Sequence, residues 1–318
     1  MIVVILAICT ILSVFRDTES RYLKMVDFPR IQFFLASMLS IIVLWIVLKK
    51  WRWYDAILMI GLFIGLVVNG YYLINYTKIV PVEVPWANTS SSSNDTFSLL
   101  ITNVKMSNKN AQPLIDLVKK NEPDLVLVME VNNWWGEQLK VLDKKYPYTQ
   151  QTLNEVAYGM ALYSKFPLKD VEVNYLNNEN VPSFISNISL PNGSTFTFHS
   201  VHPVPPTHFK YLPDNEGQQE SALKKLGRMI EVRKFPTLVA GDLNDVVWSH
   251  VDELTGTENI LYDVRVGRGL FNSYNAENLF MRWPLDHVFV TEEFKLIKLE
   301  RLQYIKSDHY PIIVELKL

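Results

Sequence analysis

The hydrophobic positions of this chain fall into two regimes. Three nearly uncharged apolar runs, at 1–15, 31–48 and 56–74, occupy the first 80 residues and show no helical amphipathicity. Because about 17 to 25 apolar residues cross a bilayer, these runs predict a membrane anchor of three transmembrane helices, the first of them short. Residues 81–96 are rich in proline, serine and asparagine, which is typical of a flexible linker.

From residue 97 onward, short apolar runs alternate with amphipathic stretches. The run 97–104 is followed by helical spacing over 111–120 and by a second apolar run at 124–130. This strand, helix, strand order favours β-sheets with helices outside them. Further strands are predicted at 159–164, 184–190, 195–201, 236–240, 285–290 and 311–316, and further helices at 133–145 and 218–233.

Charge divides the chain at the same place. Of the 31 basic and 33 acidic residues, 8 and 4 lie in residues 1–80, so residues 81–318 carry a formal charge of −6. A negative domain is a poor electrostatic partner for nucleic acid. The single cysteine, Cys9, lies in the first apolar run, which excludes disulfides and thiolate metal sites from the rest of the chain.

Basic residues of the apolar region predict its orientation. The loop 49–53, Lys-Lys-Trp-Arg-Trp, joins the second and third runs, and the positive-inside rule keeps such a loop in the cytoplasm. The domain after residue 80 is then expected outside the cytoplasm, in a multi-pass membrane protein. The loop 16–30 argues for the opposite orientation, since it holds four bases beside three acids.

Polar side chains recur where the predicted strands end. The run 236–240 breaks at Gly241 into Asp242, Leu243 and Asn244, and on an extended backbone Asp242 and Asn244 point to the same side. A turn or a helix cap explains any one such residue, but their recurrence predicts a shared site. The other polar residues at strand ends are Asn103, Glu130, His202, Asp286, Asp308 and His309.

Three motifs, in this order, resemble the endonuclease/exonuclease/phosphatase superfamily. They are Gly241-Asp242-Leu243-Asn244, Leu285-Asp286-His287-Val288 and Ser307-Asp308-His309-Tyr310-Pro311. The resemblance runs from about residue 97 to residue 318 and implies an α/β fold, a four-layer sandwich of two β-sheets flanked by helices. The stretches 202–206 and 282–287 resemble the membrane-anchored bacterial branch more than the nucleases.

Two neighbours of the expected site depart from the family pattern. The family usually has Gln before its metal-binding Glu, where this chain has Met129. It usually has Thr before its phosphate-contacting His, where this chain has Val201. Both residues support a neighbouring site residue, so the departures are expected to affect the fine positioning of Glu130 and His202 more than the reaction itself.

The resemblance implies a divalent cation and a water-activating acid. Glu130 is expected to bind Mg²⁺, or Mn²⁺ in its place, because hard carboxylate oxygens are the ligands that this ion prefers. Asn103 and Asp308 are expected to complete or adjoin that ligand set. Asp242 is expected to orient and deprotonate the attacking water.

The remaining residues are expected to act on the phosphoryl group. The resemblance gives Asn244 and His202 the role of donors to phosphoryl oxygens as charge builds up. It gives His309 the same role as an imidazolium that Asp286 orients. Arg282 is a candidate phosphate clamp, although most arginines of this kind form surface ion pairs.

The expected reaction is Mg²⁺-dependent hydrolysis of a phosphoester. A membrane-associated phosphorylated lipid or its headgroup is the expected substrate, because the anchor keeps the site near the bilayer, the expected partner. A metal-dependent endonuclease or exonuclease of the same fold is one alternative, which the domain's negative charge disfavours. A catalytically silent binding domain is the other, and it is disfavoured because none of the central motif residues is missing.

Overall fold

Two apolar helices in the N-terminal region are long enough to cross a membrane. The computed structural model describes residues 1–15, 23, 25–88, 94–205, 217–249 and 255–318. Among these residues the two long apolar helices are α2, Arg30–Val47, and α3, Trp53–Ile74. Helix α1, Ile2–Leu12, has 11 residues. At 1.5 Å per residue it spans about half of a bilayer core, so the prediction of three transmembrane helices is wrong for the first run.

Helices α2 and α3 pack side by side and leave most of their apolar side chains exposed. Examples are Leu39 on α2 and Phe63 on α3. Exposed apolar faces of this size are unfavourable in water but favourable in contact with the hydrocarbon of a bilayer. The pair is therefore compatible with a membrane anchor.

A buried ion pair lies where α2 begins. The guanidinium of Arg30 pairs with Asp27, and its Nη2 donates to the Ser13 carbonyl oxygen at 2.6 Å. The same guanidinium lies 3.9 Å from the ring centre of Tyr72 on α3. A buried charge needs such partners, and together they connect the start of α2 to the end of α1 and to α3.

Two mixed β-sheets, each of six strands among the described residues, form the globular domain. The first has the spatial order β11-β12-β1-β2-β4-β3; its strands are β1 Thr96–Asn103, β2 Leu125–Met129, β3 Tyr148–Thr152, β4 Met160–Ser164, β11 Lys295–Arg301 and β12 Ile312–Lys317. The second has the order β5-β6-β7-β8-β10-β9; its strands are β5 Leu168–Asn174, β6 Ser183–Ser189, β7 Thr195–Ser200, β8 Thr237–Asp242, β9 Tyr262–Asp263 and β10 Asp286–Val290. Strand β1 lies between β2, which is parallel to it, and β12, which is antiparallel.

The two sheets face each other across an apolar core. Phe97 of the first sheet stacks on Phe196 of the second with ring centres 4.5 Å apart, and both rings are fully buried. Helices α4, Gln112–Asn121, and α5, Asn133–Leu139, pack on the outer face of the first sheet. Helix α6, Gln218–Glu231, packs on the outer face of the second. The layers follow the expected four-layer sandwich.

The first half of the predicted linker packs on the domain. Leu296 of β11 donates its backbone N–H to the Pro85 carbonyl at 2.9 Å and accepts from the N–H of Ala87 at 2.8 Å, beside the buried Val84. The N–H of Gly267 donates to the Asn75 carbonyl at the end of α3, at 2.8 Å. Residues 81–88 therefore extend the domain instead of forming free chain, while 89–93 lie outside the described residues.

Candidate active site

The strand-end residues meet at one end of the two sheets. Asn103 ends β1, and Glu130 directly follows its parallel neighbour β2. In the second sheet, Asp242 ends β8 and stands opposite Asp286, the first residue of the antiparallel β10. The residues that face the same cavity are Asn103, Glu130, His202, Asp242, Asn244, Asp308 and His309.

The buried carboxylate of Asp242 lies at the centre of this cluster. Its Oδ2 accepts a hydrogen bond from Asn103 Nδ2 at 3.1 Å and lies 3.4 Å from His309 Nε2 and 3.8 Å from His202 Nε2. Its Oδ1 accepts the backbone N–H of Asn244 at 2.8 Å, in an Asx-turn. One carboxylate is thus fixed between two imidazoles.

The backbone next to Asp242 requires a glycine. Gly241 has a φ of +150°, and a Cβ there would lie 1.9 Å from the carbonyl oxygen of Val201, so the two chains approach each other only without a side chain. The N–H of Asp242 donates to Met129 Sδ at 3.1 Å. A thioether is a weak acceptor, but it allows the methionine to support Asp242 where the family usually has Gln.

The two imidazoles differ in charge. His309 Nδ1 lies 2.8 Å from Asp286 Oδ2. Burial opposes protonation of His309, but the carboxylates of Asp286 and Asp242 outweigh it and raise its pKa to about 10. Burial lowers the pKa of His202, so His202 is neutral at pH 7. The cluster therefore pairs a cationic donor with a neutral one on either side of Asp242.

Glu130 is held by two donors. Its Oε1 accepts from Asn103 Nδ2 at 2.9 Å, and its Oε2 accepts from the backbone N–H of Met106 at 3.0 Å. Burial raises the pKa of Glu130 further than these hydrogen bonds lower it, and the negative charge of Asp308 adds to the rise. Asn103 Nδ2 donates to the carboxylates of both Glu130 and Asp242 and so orients them.

The acids of the site fit a divalent cation. Glu130, Asp242 and Asp308 line one cavity, and this concentration of carboxylates is the donor set that Mg²⁺ prefers. A second group, Asp242, Asp286 and His309, brings one ligand atom from each residue within 4.8 Å of the others. That group includes an imidazole nitrogen, which Mg²⁺ accepts less readily than oxygen. The carboxylates near Glu130 suit Mg²⁺ better.

The cavity has a volume of about 510 Å³ and includes residues without any signal in the sequence. Tyr274 contributes to it, with its ring centre 4.9 Å from that of His309. Met25, Phe28 and Pro29, from the loop before α2, form another part of the wall. These three residues lie between the predicted apolar runs 1–15 and 31–48, and no periodicity places them against a domain far along the chain.

Arg282, the candidate phosphate clamp, lies outside the cavity. Its Nε donates to the Asn275 carbonyl at 3.3 Å, and its guanidinium lies 5.1 Å from the ring centre of Tyr310. Its neighbours Met281 and Trp283 line the cavity, but Arg282 does not. In the structure Arg282 contacts its own loop and Tyr310, and its role as a phosphate clamp stays a prediction.

Two stacked mixed sheets with this polar cluster at their ends define a four-layer α/β fold typical of hydrolases that act on phosphoester bonds. The model of the Endonuclease/Exonuclease/phosphatase family matches residues 100–309, and the chain belongs to this family. No curated protein matches the sequence. Members of the family are generally hydrolases of phosphoester bonds.

Solved structures agree on the fold. A humanized D. rerio TDP2 aligns with a TM-score of 0.58 at 12% identity, over 70% of this chain and 100% of its own. D. rerio TDP2 complexed with a single-strand DNA product gives 0.53 at 14%, over 70% and 99%. An endonuclease/exonuclease/phosphatase from Bacteroides vulgatus gives 0.56 at 18%, over 70% and 99%. At these identities the likeness concerns the fold alone.

Proposed function

We propose that the chain is a membrane-anchored phosphoesterase that uses Mg²⁺ or Mn²⁺ to hydrolyse the headgroup phosphoester of a membrane lipid. The observation that carries this proposal is the carboxylate of Asp242, buried between a cationic His309 and a neutral His202. It lies in a cavity that also contacts the apolar N-terminal region. A base and two donors around one open space suit attack of water on a phosphoryl group.

Each side chain has a distinct task in this reaction. Asp242 accepts the proton of the attacking water, and burial raises its pKa toward the range of a general base. His309 donates from Nε2 to the phosphoryl oxygens, while Asp286 holds its Nδ1. His202 supplies a second, neutral donor. Glu130 and Asp308 would hold the divalent cation, which neutralises charge that develops on the phosphoryl oxygens.

A substrate screen tests the proposal. The full-length chain in lipid nanodiscs with Mg²⁺ is expected to hydrolyse a lipid phosphoester at least about tenfold faster than single-stranded DNA, because the anchor concentrates lipid at the site. Initial rates on lipid phosphates, inositol phosphates and DNA provide the measurement, with the Asp242→Asn variant as background. Faster cleavage of DNA, with a steep loss of rate as salt rises, would refute the lipid assignment.

A nuclease activity is the second candidate. It is suggested by the fold shared with D. rerio TDP2, whose structure contains a single-strand DNA product. Against it stands the formal charge of −6 on residues 81–318, since DNA binding depends on neutralising many phosphates. A lipid presents one or two phosphates, so its binding requires no extended basic groove.

We also propose that the catalytic domain lies outside the cytoplasm. Both the start of α2 and the end of α3 contact the domain, so the basic loop 49–53 lies at the far end of this helical hairpin. A reporter fused after residue 80 is expected to be active only outside the cytoplasm. Replacing Lys49, Lys50 and Arg52 with glutamine should weaken that preference. Reporter activity confined to the cytoplasm would show that the domain has the opposite orientation.

A further inference from the structure

The cavity above Asp242 has two unlike halves. One half is the polar cluster of strand-end residues described above, and the other is apolar. The apolar half combines Trp283 and Leu285 of the domain with Met25, Phe28 and Pro29 of the loop before α2. At about 510 Å³ the whole cavity is larger than a phosphate group and one metal ion need.

The loop is firmly docked on the domain. The ring of Phe28 meets that of Trp283 edge to face, with centres 5.9 Å apart. The backbone carbonyl of Asp27 accepts a hydrogen bond from the buried Trp248 Nε1 at 2.9 Å. Because the Asp27 carboxylate also pairs with Arg30, one residue connects the wall of the cavity to both the domain and the helical bundle.

The opening of the cavity is bordered by apolar side chains. Met25 and Met281 line the cavity and are 48% and 43% exposed, so they lie where it opens. Beside them Leu279 and Phe280 are 74% and 81% exposed, and the Phe280 carbonyl accepts from Gln32 Nε2 in the first turn of α2, at 2.7 Å. Such a cluster is stable in the interfacial layer of a bilayer, at the level where α2 begins.

We infer that residues 25–29, directly before α2, are part of the active site and bind the hydrocarbon chain of a lipid substrate. This inference rests on the proposed function and specifies its substrate. The phosphoester of the lipid lies against Asp242 and His309, and the first part of its hydrocarbon chain lies against Met25 and Phe28. Phe28 and Met25 are therefore specificity-determining residues contributed by the N-terminal region.

The physical reason is burial of apolar surface. When the phosphoester reaches Asp242, the methylenes nearest the headgroup leave the bilayer, and each one that the wall keeps out of water is worth about fourfold in binding. A water-soluble phosphoester with the same headgroup leaves the wall unfilled and gains nothing from it. The wall thus discriminates between two substrates of identical reacting chemistry.

The test uses the full-length chain in nanodiscs and two substrates with one headgroup phosphoester, one carrying a long acyl chain and one carrying a methyl group. The variants are Met25→Ser and Phe28→Ala. For each variant, kcat/KM for the long-chain substrate is expected to fall about tenfold or more, while that for the methyl ester stays within about twofold. Leu39→Ser, on the exposed face of α2 outside the cavity, is the matched control and should change neither.

The possible outcomes separate the two proposals. Equal losses on both substrates, or no loss on either, would overturn the inference and leave phosphoester hydrolysis standing. If the wild-type chain hydrolyses neither substrate, the proposed function itself fails. Because Met25 is nearly half exposed, its serine variant tests the wall even if Phe28→Ala loosens the docking of the loop.

Discussion

Asp242→Asn is expected to lower kcat by a factor of about 10³ or more, with KM changed by about threefold at most. The amide has nearly the shape of the carboxylate, so the hydrogen bond from Asn244 is kept. What is lost is the proton acceptor between His309 and His202. The measurement is steady-state hydrolysis of the lipid phosphoester by the full-length chain.

A surface aspartate controls for general effects of this substitution. Asp170 lies exposed on the edge strand β5, where its Oδ2 accepts a hydrogen bond from Asn187 Nδ2 at 2.9 Å. Asp170→Asn should keep wild-type activity. More than a tenth of wild-type kcat in Asp242→Asn would show that another group activates the water.

Removal of divalent cations is the second change with a large expected effect. EDTA should abolish hydrolysis, and Mg²⁺ or Mn²⁺ should restore it. Glu130→Gln is expected to weaken Mg²⁺ binding, measured by calorimetry, about 10- to 100-fold, because it removes a negative oxygen ligand. Hydrolysis should fall with the loss of bound metal and recover in part at high Mg²⁺.

Asp286→Asn distinguishes the two groups of acids that could hold the ion. Asp286 orients His309 and does not line the cavity. Its asparagine variant is expected to lose activity while its affinity for Mg²⁺ stays within about threefold of wild type. If Asp286→Asn loses Mg²⁺ and Glu130→Gln keeps it, the ion belongs with Asp242, Asp286 and His309.

The interior of the fold could be predicted from the sequence, whereas its edges could not. The predicted strands correspond to β1, β2, β4, β6, β7, β8, β10 and β12, which are the inner strands of the two sheets. The four strands without a prediction, β3, β5, β9 and β11, are the four sheet edges. An edge strand buries little of its surface, so its sequence lacks the apolar run that marks an inner strand.

The polar half of the site was predictable for a related reason. A side chain such as Glu130 or Asp242 is placed by the apolar strand just before it, so its position at the strand end is a local property of the sequence. The wall from Met25 to Pro29 depends on docking between segments far apart in the chain, with no local pattern. The prediction of a transmembrane helix for α1 fails because of its length, since 11 residues are too few to cross a bilayer.

The position of β1 has a consequence for biosynthesis. Asn103, at the end of β1, accepts a hydrogen bond through its backbone carbonyl from Ser307 Oγ, 204 residues further along the chain. The sheet cannot close around β1 before β12 has left the ribosome, long after α2 and α3 have emerged. His309 reaches Asp242 at the same late stage. Helices α2 and α3 are therefore available for membrane insertion before the side chains around Asp242 come together.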